Sequence, residues 1–222
     1  MAARKKKRLA QTSLFISIFL YKMKKLFLIR HGQTDGNVAL RYYGHTDIML
    51  NERGREQASG LAIRLSHEPL DRIYSSDLAR AYETARIIAR GHGLDVQRSR
   101  RLREIDLGDW EGLTFEEIKA RDEELVRQWM VEFETHRMPN GESVAEFRSR
   151  VEYEIKNIIA KNRDQTVAIV THGGVTRMVL CYLLGWDLSS FWHLCQDTGC
   201  LNVIDLKSGK PSLLLLNSRE VR

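Results

Sequence analysis

Two histidines share a distinctive position, directly after a short apolar segment and directly before a glycine. They are His31, in the run "IRHG", and His172, in the run "VTHG". An unprotonated imidazole nitrogen can act as a nucleophile or accept a proton, and the glycine allows close approach to the backbone. Arg30 precedes His31, and Arg80 lies in a helix after a second strand. Because a guanidinium group binds phosphate or carboxylate oxygens through paired hydrogen bonds, these residues predict chemistry on an anion.

The other histidines have no such neighbours, and we interpret them as surface or interior residues. They are His45, His67, His92, His136 and His193. The sequence contains no HExxH motif, no paired Asp-x-Asp and no cluster of Cys and His with metal-ligand spacing. It also lacks the P-loop and GxGxxG patterns that bind phosphate groups. We therefore predict no metal ion and no cofactor, and recognition of the anion by cationic side chains.

The segments that must position these residues alternate between strand and helix patterns. Short apolar or β-branched runs predict strands at Lys25–Ile29, Arg72–Tyr74, Thr166–Thr171, Leu201–Leu206 and Ser212–Leu216. Apolar residues at helical spacing predict helices at Leu50–Leu65, Asp77–Arg90, Thr114–Val131, Ser143–Lys161 and Val175–Leu184. The first of these helices has a suitable N-cap in Asn51. Capping boxes open two others, at Thr114 with Glu117 and at Ser143 with Glu146.

This alternation predicts a three-layer α/β/α fold with a mainly parallel sheet. The last two strands flank the turn sequence "KSGKP" and predict a closing hairpin, so one strand is expected to run antiparallel. In open sheets of this class, reactive groups collect beyond the carboxyl ends of the strands, which is where His31 and His172 are expected. No repeat or Pro/Ser-rich linker divides residues 23–222, so we predict a single domain.

Composition and charge exclude several classes of protein. Apolar residues make up 43% and charged residues 29% of the chain, a globular mixture rather than a disordered or multi-span membrane one. Six of the 35 basic residues lie in residues 1–22, which hold no acid, and the remainder of the chain is electrically balanced. We therefore expect no nucleic-acid partner. Three cysteines without a CxxC pair favour a reducing cytoplasm.

The basic segment at residues 1–22 has several interpretations. Its apolar run, Leu14–Tyr21, covers eight residues and is too short for a membrane-spanning helix, which needs about 20. A signal peptide needs a small-residue cleavage site, which the sequence "YKMK" does not supply. We favour a misassigned start upstream of Met23, with a disordered basic extension and an export or membrane-attachment segment as alternatives. We expect no membrane partner for the body of the chain.

Several ordered motifs resemble those of the histidine phosphatase superfamily, which includes cofactor-dependent phosphoglycerate mutases and acid-type phosphatases. The first, "RHGQTDGN" at residues 30–37, matches the pattern RHG-x-[ST]-x-x-N. The others follow in the family's order: "YGHTDIMLNERGREQA", "SSDLARAYETA", "LREIDLGDWEGLT", "PNGES" and "THGG". The resemblance extends from Met23 to about Leu206 and implies a phosphoglycerate mutase-like fold.

The resemblance implies a role for each member of the constellation. His31 is expected to attack phosphorus and to carry the phosphoryl group on a ring nitrogen. Glu104 occupies the position of the general acid, which protonates the leaving group and then accepts a proton from water. The residues expected to hold the phosphoryl oxygens are Arg30, Thr34, Asn37, Arg80, His172 and Gly173.

Within the superfamily, the sequence favours hydrolysis over phosphoglycerate mutase activity. Leu107 stands where a mutase carries a tyrosine, and no Arg-Arg pair follows before Pro139. A catalytically silent module that binds phosphorylated partners is the second alternative, although the principal chemical groups are all present. The blocks "LREIDLGDWEGLTFEEI" and "PNGES" resemble the α-ribazole 5′-phosphate phosphatases of cobalamin assembly. The expected substrate is therefore a small phosphomonoester.

The part of that substrate beyond the phosphate is expected to contact a helical cap at about residues 114–139. The candidate contacts are Trp110, Phe115, Trp129 and Met130. Packing within the cap is an equally good interpretation of these side chains. A homodimer is a further expectation.

Overall fold

The computed structural model describes residues 23–219, so the interpretations of residues 1–22 lie outside the described residues. Within this part of the chain, six strands form one sheet: β1 (Lys25–Arg30), β2 (Arg72–Ser76), β3 (Val96–Ser99), β4 (Thr166–Thr171), β5 (Leu201–Asp205) and β6 (Ser212–Ser218). The α-helices are α1 (Asp35–Val38), α2 (Glu52–Leu65), α3 (Ala79–Arg90), α4 (Phe115–Val131), α5 (Val144–Lys161) and α6 (Gly173–Leu184). Short 3-10 helices cover Arg100–Leu102, Gly108–Trp110 and Leu188–His193.

The sheet is mainly parallel, as the sequence predicts. Its strand order is β3-β2-β4-β1-β5-β6, and the first four strands pair in parallel. Strand β5 runs antiparallel to both of its neighbours, so it is the single reversed strand in the described sheet. The sequence analysis missed β3 because its residues "VQRS" are mostly polar, which is typical of a short exposed edge strand.

Helices cover both faces of the sheet, which confirms the three-layer arrangement. Along β1, Leu26 and Leu28 pack into a core with α5 and α6 on one face. The alternate residues, Phe27 and Ile29, pack with α2 and α3 on the other face. Because successive side chains of a strand point to opposite faces, a strand covered on both sides must be apolar throughout.

The predicted helix boundaries follow from their caps. The side chain of Asn51 accepts a hydrogen bond from the amide of Gly54, and the capping boxes at Thr114 and Ser143 both form. Helix α6 ends at Gly185, whose φ of 67° lies in the left-handed region that glycine adopts easily. No helix within residues 23–219 is long and apolar enough to cross a membrane.

Helix α4 packs against its own small core beside the sheet. The buried residues of this core are Leu107, Trp110, Ile118, Val126, Trp129 and Met138. The helix is interrupted at Asp122, whose backbone is non-helical with φ −133° and ψ 47°. The Asp122 carboxylate accepts a hydrogen bond of 2.8 Å from the indole nitrogen of Trp110, which ties the interruption to this core.

Candidate active site

The pairing of β1 with β4 brings the two predicted histidines together. Arg30 at the end of β1 lies opposite Thr171 at the end of β4, and the amide of His31 donates to the carbonyl of Thr171 at 2.9 Å. The next residue of each strand therefore leaves the sheet at the same edge. The rings of His31 and His172 are both buried, with centroids 5.1 Å apart and planes inclined by 65°.

A backbone carbonyl fixes the tautomer of His31. Its Nδ1 lies 2.7 Å from the carbonyl oxygen of Gly32. Since a carbonyl can only accept, Nδ1 carries the proton and Nε2 keeps a free lone pair. Burial, reinforced by the charges of Arg80 and Arg30, holds the pKa of His31 well below its ordinary value of 6.5. The ring is therefore neutral at neutral pH, with Nε2 as its nucleophilic atom.

A serine hydroxyl orients the second histidine. His172 Nε2 lies 2.9 Å from Ser76 Oγ, which also accepts from the amide of Leu78 at 3.3 Å. Ser76 is buried, so its hydroxyl proton is best satisfied by donation to Nε2, which leaves the proton of His172 on Nδ1. Nδ1 is buried and has no hydrogen-bond partner within residues 23–219. Burial, with the charge of Arg80 and the neighbouring His31, holds the pKa of His172 well below 6.5.

One nitrogen of the Arg30 guanidinium is bound by the protein, whereas another has no hydrogen-bond partner in the described part of the chain. One terminal nitrogen donates to the carbonyl of Gln196 at 2.5 Å. Its Nε is buried and unpaired within the described part of the chain. A Cβ atom on Gly173 would lie 3.4 Å from this Nε, so the guanidinium lies against the first turn of α6. The first amides of a helix have no partner within it, which gives this corner further donors for an anion.

Arg80 is buried and is held entirely by backbone carbonyl groups. Its terminal nitrogens donate to Thr46 at 2.9 Å, to Gly44 at 2.7 Å and to Tyr43 at 3.3 Å. Burial lowers the pKa of Arg80 to about 10, against the opposing effect of Glu104. The side chain thus stays charged at neutral pH, and no carboxylate pairs with it directly within residues 23–219.

Glu104 lies at the same site, anchored by two backbone amides. Its carboxylate oxygens accept from the amide of Gly174 at 2.8 Å and from the amide of Ile105 at 3.0 Å. A Cβ on Gly174 would lie only 2.3 Å from Glu104, so no side chain fits there without moving the carboxylate. These contacts place the predicted acid beside the N-terminus of α6, whose N-cap residue is His172, and Glu104 lines the same cavity as His31.

Thr34 and Asn37 are engaged with each other in a capping box around α1. The Thr34 amide and hydroxyl both donate to Asn37 Oδ1, at 3.0 and 2.9 Å. The hydroxyl proton of the buried Thr34 is therefore already used. The amide nitrogen of the Asn37 side chain makes no hydrogen bond with other described residues and remains an available donor.

The predicted residues line one cavity of about 960 Å³. His31, His172 and the other predicted site residues form its polar part. Aromatic residues form its other walls: Tyr42, Phe115, Trp129, Phe133, Phe147, Phe191 and Trp192. Two predicted contacts are wrong. Trp110 is 0% exposed within the α4 core, and Met130 is 67% exposed on a surface outside the cavity.

The sequence analysis missed several walls of the cavity. Phe191 and Trp192 come from the 3-10 helix after α6, and Phe133 follows α4. The three rings contact one another with centroids 5.0 to 5.2 Å apart. Arg177 also lines the cavity, with its Nε bound to the carbonyl of Leu194. Its position three residues after "THGG", one helical turn along, was the available signal.

Residues 23–219 contain no group of three or more His, Cys, Asp or Glu side chains arranged to hold a metal ion. Independence from metal remains a prediction.

Comparison with known proteins identifies the family. Residues 26–219 match the histidine phosphatase superfamily (branch 1) over most of the chain. The chain belongs to this superfamily. Among proteins similar to this histidine phosphatase, phosphoserine phosphatase 1 of Hydrogenobacter thermophilus is 40% identical over 88% of this chain and 92% of the relative. The adenosylcobalamin/α-ribazole phosphatase of Salmonella typhimurium is 36% identical over 89% of this chain and 98% of the relative.

A solved structure shows the same fold. The α-ribazole phosphatase from Shigella flexneri matches with a TM-score of 0.82 and 34% identity, over 89% of this chain and 98% of that protein. The histidine phosphatase described here is therefore an enzyme that removes phosphate from a small phosphorylated metabolite.

Proposed function

We propose that this histidine phosphatase hydrolyses a phosphomonoester in two steps through a phosphohistidine at residue 31. His31 Nε2 attacks phosphorus and forms an N–P bond as the ester P–O bond breaks. Glu104 donates its proton to the departing oxygen, which leaves as an alcohol. Water then attacks the phosphohistidine and transfers a proton to Glu104, and the N–P bond breaks to release inorganic phosphate.

The observation that carries this proposal is the tautomer of His31, with a neutral Nε2 inside a cluster of donors. Arg30 and Arg80 would bind the non-bridging oxygens of the transferring group, and His172 would donate from Nδ1. Asn37 would add its side-chain amide. Because these donors are fixed before the substrate arrives, they need little rearrangement as charge develops on the phosphoryl oxygens.

The aromatic part of the cavity supports a substrate with a bulky, largely apolar leaving group. Phe115, Trp129, Phe191 and Trp192 line the same cavity as the polar residues and present aromatic ring surfaces to it, and the rings of Trp129 and Trp192 contact each other with centroids 5.4 Å apart. Aromatic groups pack favourably against such faces, and a cavity of about 960 Å³ has room for them. We therefore propose α-ribazole 5′-phosphate, the substrate class named for two of the similar proteins, as the first candidate.

Phosphoserine is the second candidate, and Arg177 is the observation that favours it. Its Nε donates to the carbonyl of Leu194 and its guanidinium lies 5.5 Å from the ring centroid of Phe191, but its terminal nitrogens make no hydrogen bond within residues 23–219. They would suit the carboxylate of a small phosphorylated amino acid. The similar phosphoserine phosphatase of Hydrogenobacter thermophilus supports the same candidate.

A hydrolysis panel distinguishes these candidates. It compares kcat/KM for α-ribazole 5′-phosphate, phosphoserine, phosphoglycerates, sugar phosphates and nucleotides. If the first candidate is right, Trp129→Ala lowers kcat/KM for α-ribazole 5′-phosphate about tenfold, whereas Met130→Ala, outside the cavity, does not. A preference for phosphoserine that is lost in Arg177→Gln would establish the second. Transfer of phosphate to a phosphoglycerate, primed by 2,3-bisphosphoglycerate, would instead indicate mutase activity.

The cytoplasmic location and the homodimer remain predictions from the sequence. Cell fractionation tests the first, and light scattering during size-exclusion chromatography tests the second.

A further inference from the structure

The segment that holds Arg80 has no regular secondary structure to fix it. Three of its carbonyl groups bind the guanidinium, and we call residues 43–47 the Arg80 loop. Carbonyl groups on a mobile loop would position a charged side chain poorly. Accurate placement of a phosphate-binding cation therefore requires something else to hold this loop.

Glu111 supplies that support. The amide of Gly44 donates to both oxygens of its carboxylate, at 3.0 Å in each case. The carboxylate also accepts from the amides of His45 at 2.8 Å and Thr46 at 3.2 Å. A further bond of 3.3 Å comes from Leu107 on its own side of the site. The two oxygens of a carboxylate can accept about four such bonds, so this side chain is saturated by backbone amides.

The contact between Glu111 and the loop is tight. A Cβ at Gly44 would lie 1.9 Å from the carbonyl oxygen of Ile105 and 2.7 Å from Glu111 Oε1, so only glycine fits. The far end of the loop is also fixed, because Asp47 accepts a 2.7 Å hydrogen bond from Ala79, the residue before Arg80.

We propose that Glu111 is a positioning residue for Arg80. Its carboxylate orders the amides of residues 44–46, and the carbonyl groups of the same loop then hold the guanidinium in place. Glu111 acts only through the loop and does not touch the substrate. This inference rests on the proposed function, in which Arg80 binds the transferring phosphoryl group.

A double-mutant cycle tests the coupling. Glu111→Gln keeps the shape of the side chain but replaces one acceptor oxygen by a donor that would face backbone amides. We expect kcat/KM to fall by up to about 10²-fold, because small misplacements of a catalytic group cost that much. The same substitution in an Arg80→Ala background should have almost no further effect. Equal effects in both backgrounds would refute the positioning role.

A control and a structural measurement separate this inference from the proposed function. Glu146→Gln also removes a carboxylate that accepts from a backbone amide, but it lies at the start of α5 and should leave kcat/KM unchanged. Crystal structures of Glu111→Gln then judge the positioning without reference to activity. A guanidinium displaced from the carbonyls of Gly44 and Thr46 supports the proposal, and an unmoved one overturns it. If Arg80→Ala alone is fully active, the proposed function fails instead.

Discussion

The ring of His31 meets the ring of His172 edge-on, with centroids 5.1 Å apart, yet the two rings are fixed by different partners. A backbone carbonyl binds Nδ1 of His31, whereas a serine hydroxyl binds Nε2 of His172. One ring is thereby left with a free lone pair and the other with a free N–H group. Two residues of the same type can therefore take opposite parts in one reaction.

The nucleophile can be trapped directly. Incubation with a ³²P-labelled phosphomonoester should give a phosphoryl adduct that is labile in acid and stable in base. His31→Ala should lose the adduct and lower kcat by about 10⁴-fold or more, as expected when a covalent nucleophile is removed. His67 is exposed on the surface, so His67→Ala serves as the control and should keep both the phosphoryl adduct and the full kcat. An adduct that persists in His31→Ala would reassign the nucleophile.

The role of Glu104 depends on the leaving group. Glu104→Gln should lower kcat for an alkyl phosphate about 10²–10⁴-fold, because an alkoxide needs a proton to depart. An aryl phosphate such as p-nitrophenyl phosphate should lose much less, since its leaving group is a weak base. Glu116 also places a carboxylate at the cavity, so Glu116→Gln is the matched control. Equal losses for both substrates would argue against acid catalysis by Glu104.

The lowered pKa values of His31 and His172 can be observed by NMR. Burial is the first cause of both shifts, and the charge of Arg80 adds to it. We expect the ring signals of His31 and His172, each assigned by its loss in His31→Ala or His172→Ala, not to titrate near pH 6.5. A midpoint near 6.5 for either ring would contradict the structure.

The same shifts make stability depend on pH. Between the lowered folded pKa and the unfolded value of about 6.5, the unfolded chain binds more protons than the folded one. The free energy of unfolding should therefore be fully maintained above pH 6.5 and decline as pH falls below it. Urea titrations at pH 7.5 and 5.5 measure the decline, which should be smaller in His172→Ala. A decline of the same size in that variant would place its origin elsewhere.

Phosphate recognition by cationic side chains predicts activity without a metal ion. Hydrolysis of an aryl phosphate should be unchanged after extensive treatment with EDTA. Arg30→Ala provides the contrast, because loss of a guanidinium from the site should abolish most of the same activity. If EDTA abolishes the activity and added magnesium restores it, the metal ion rather than the arginine side chains alone supplies the positive charge.

The position of the reactive edge was predictable because it follows from local patterns. Apolar runs that end in His31 and His172 identify strands, and the rule for open sheets places their ends together. Arg80 was predicted as a phosphate ligand, but the carbonyls that hold it come from a loop some 35 residues earlier in the chain, which no local pattern reveals. The aromatic wall was only partly predictable. Trp110 and Trp129 have similar sequence surroundings and both pack in the α4 core, and only the tertiary structure shows that Trp129 also lines the cavity whereas Trp110 does not.

The residue-for-residue pairing of Arg30 with Thr171 makes strand length part of the catalytic apparatus. A single amino acid inserted within β4, between Ile169 and Val170, would reverse the face occupied by every later side chain of that strand. His172 would then turn away from its partner ring although no reactive group had been changed. The same insertion beside Gly93, in the turn after α3, would be absorbed locally. Tolerance to length variation should thus fall sharply toward the ends of these two strands.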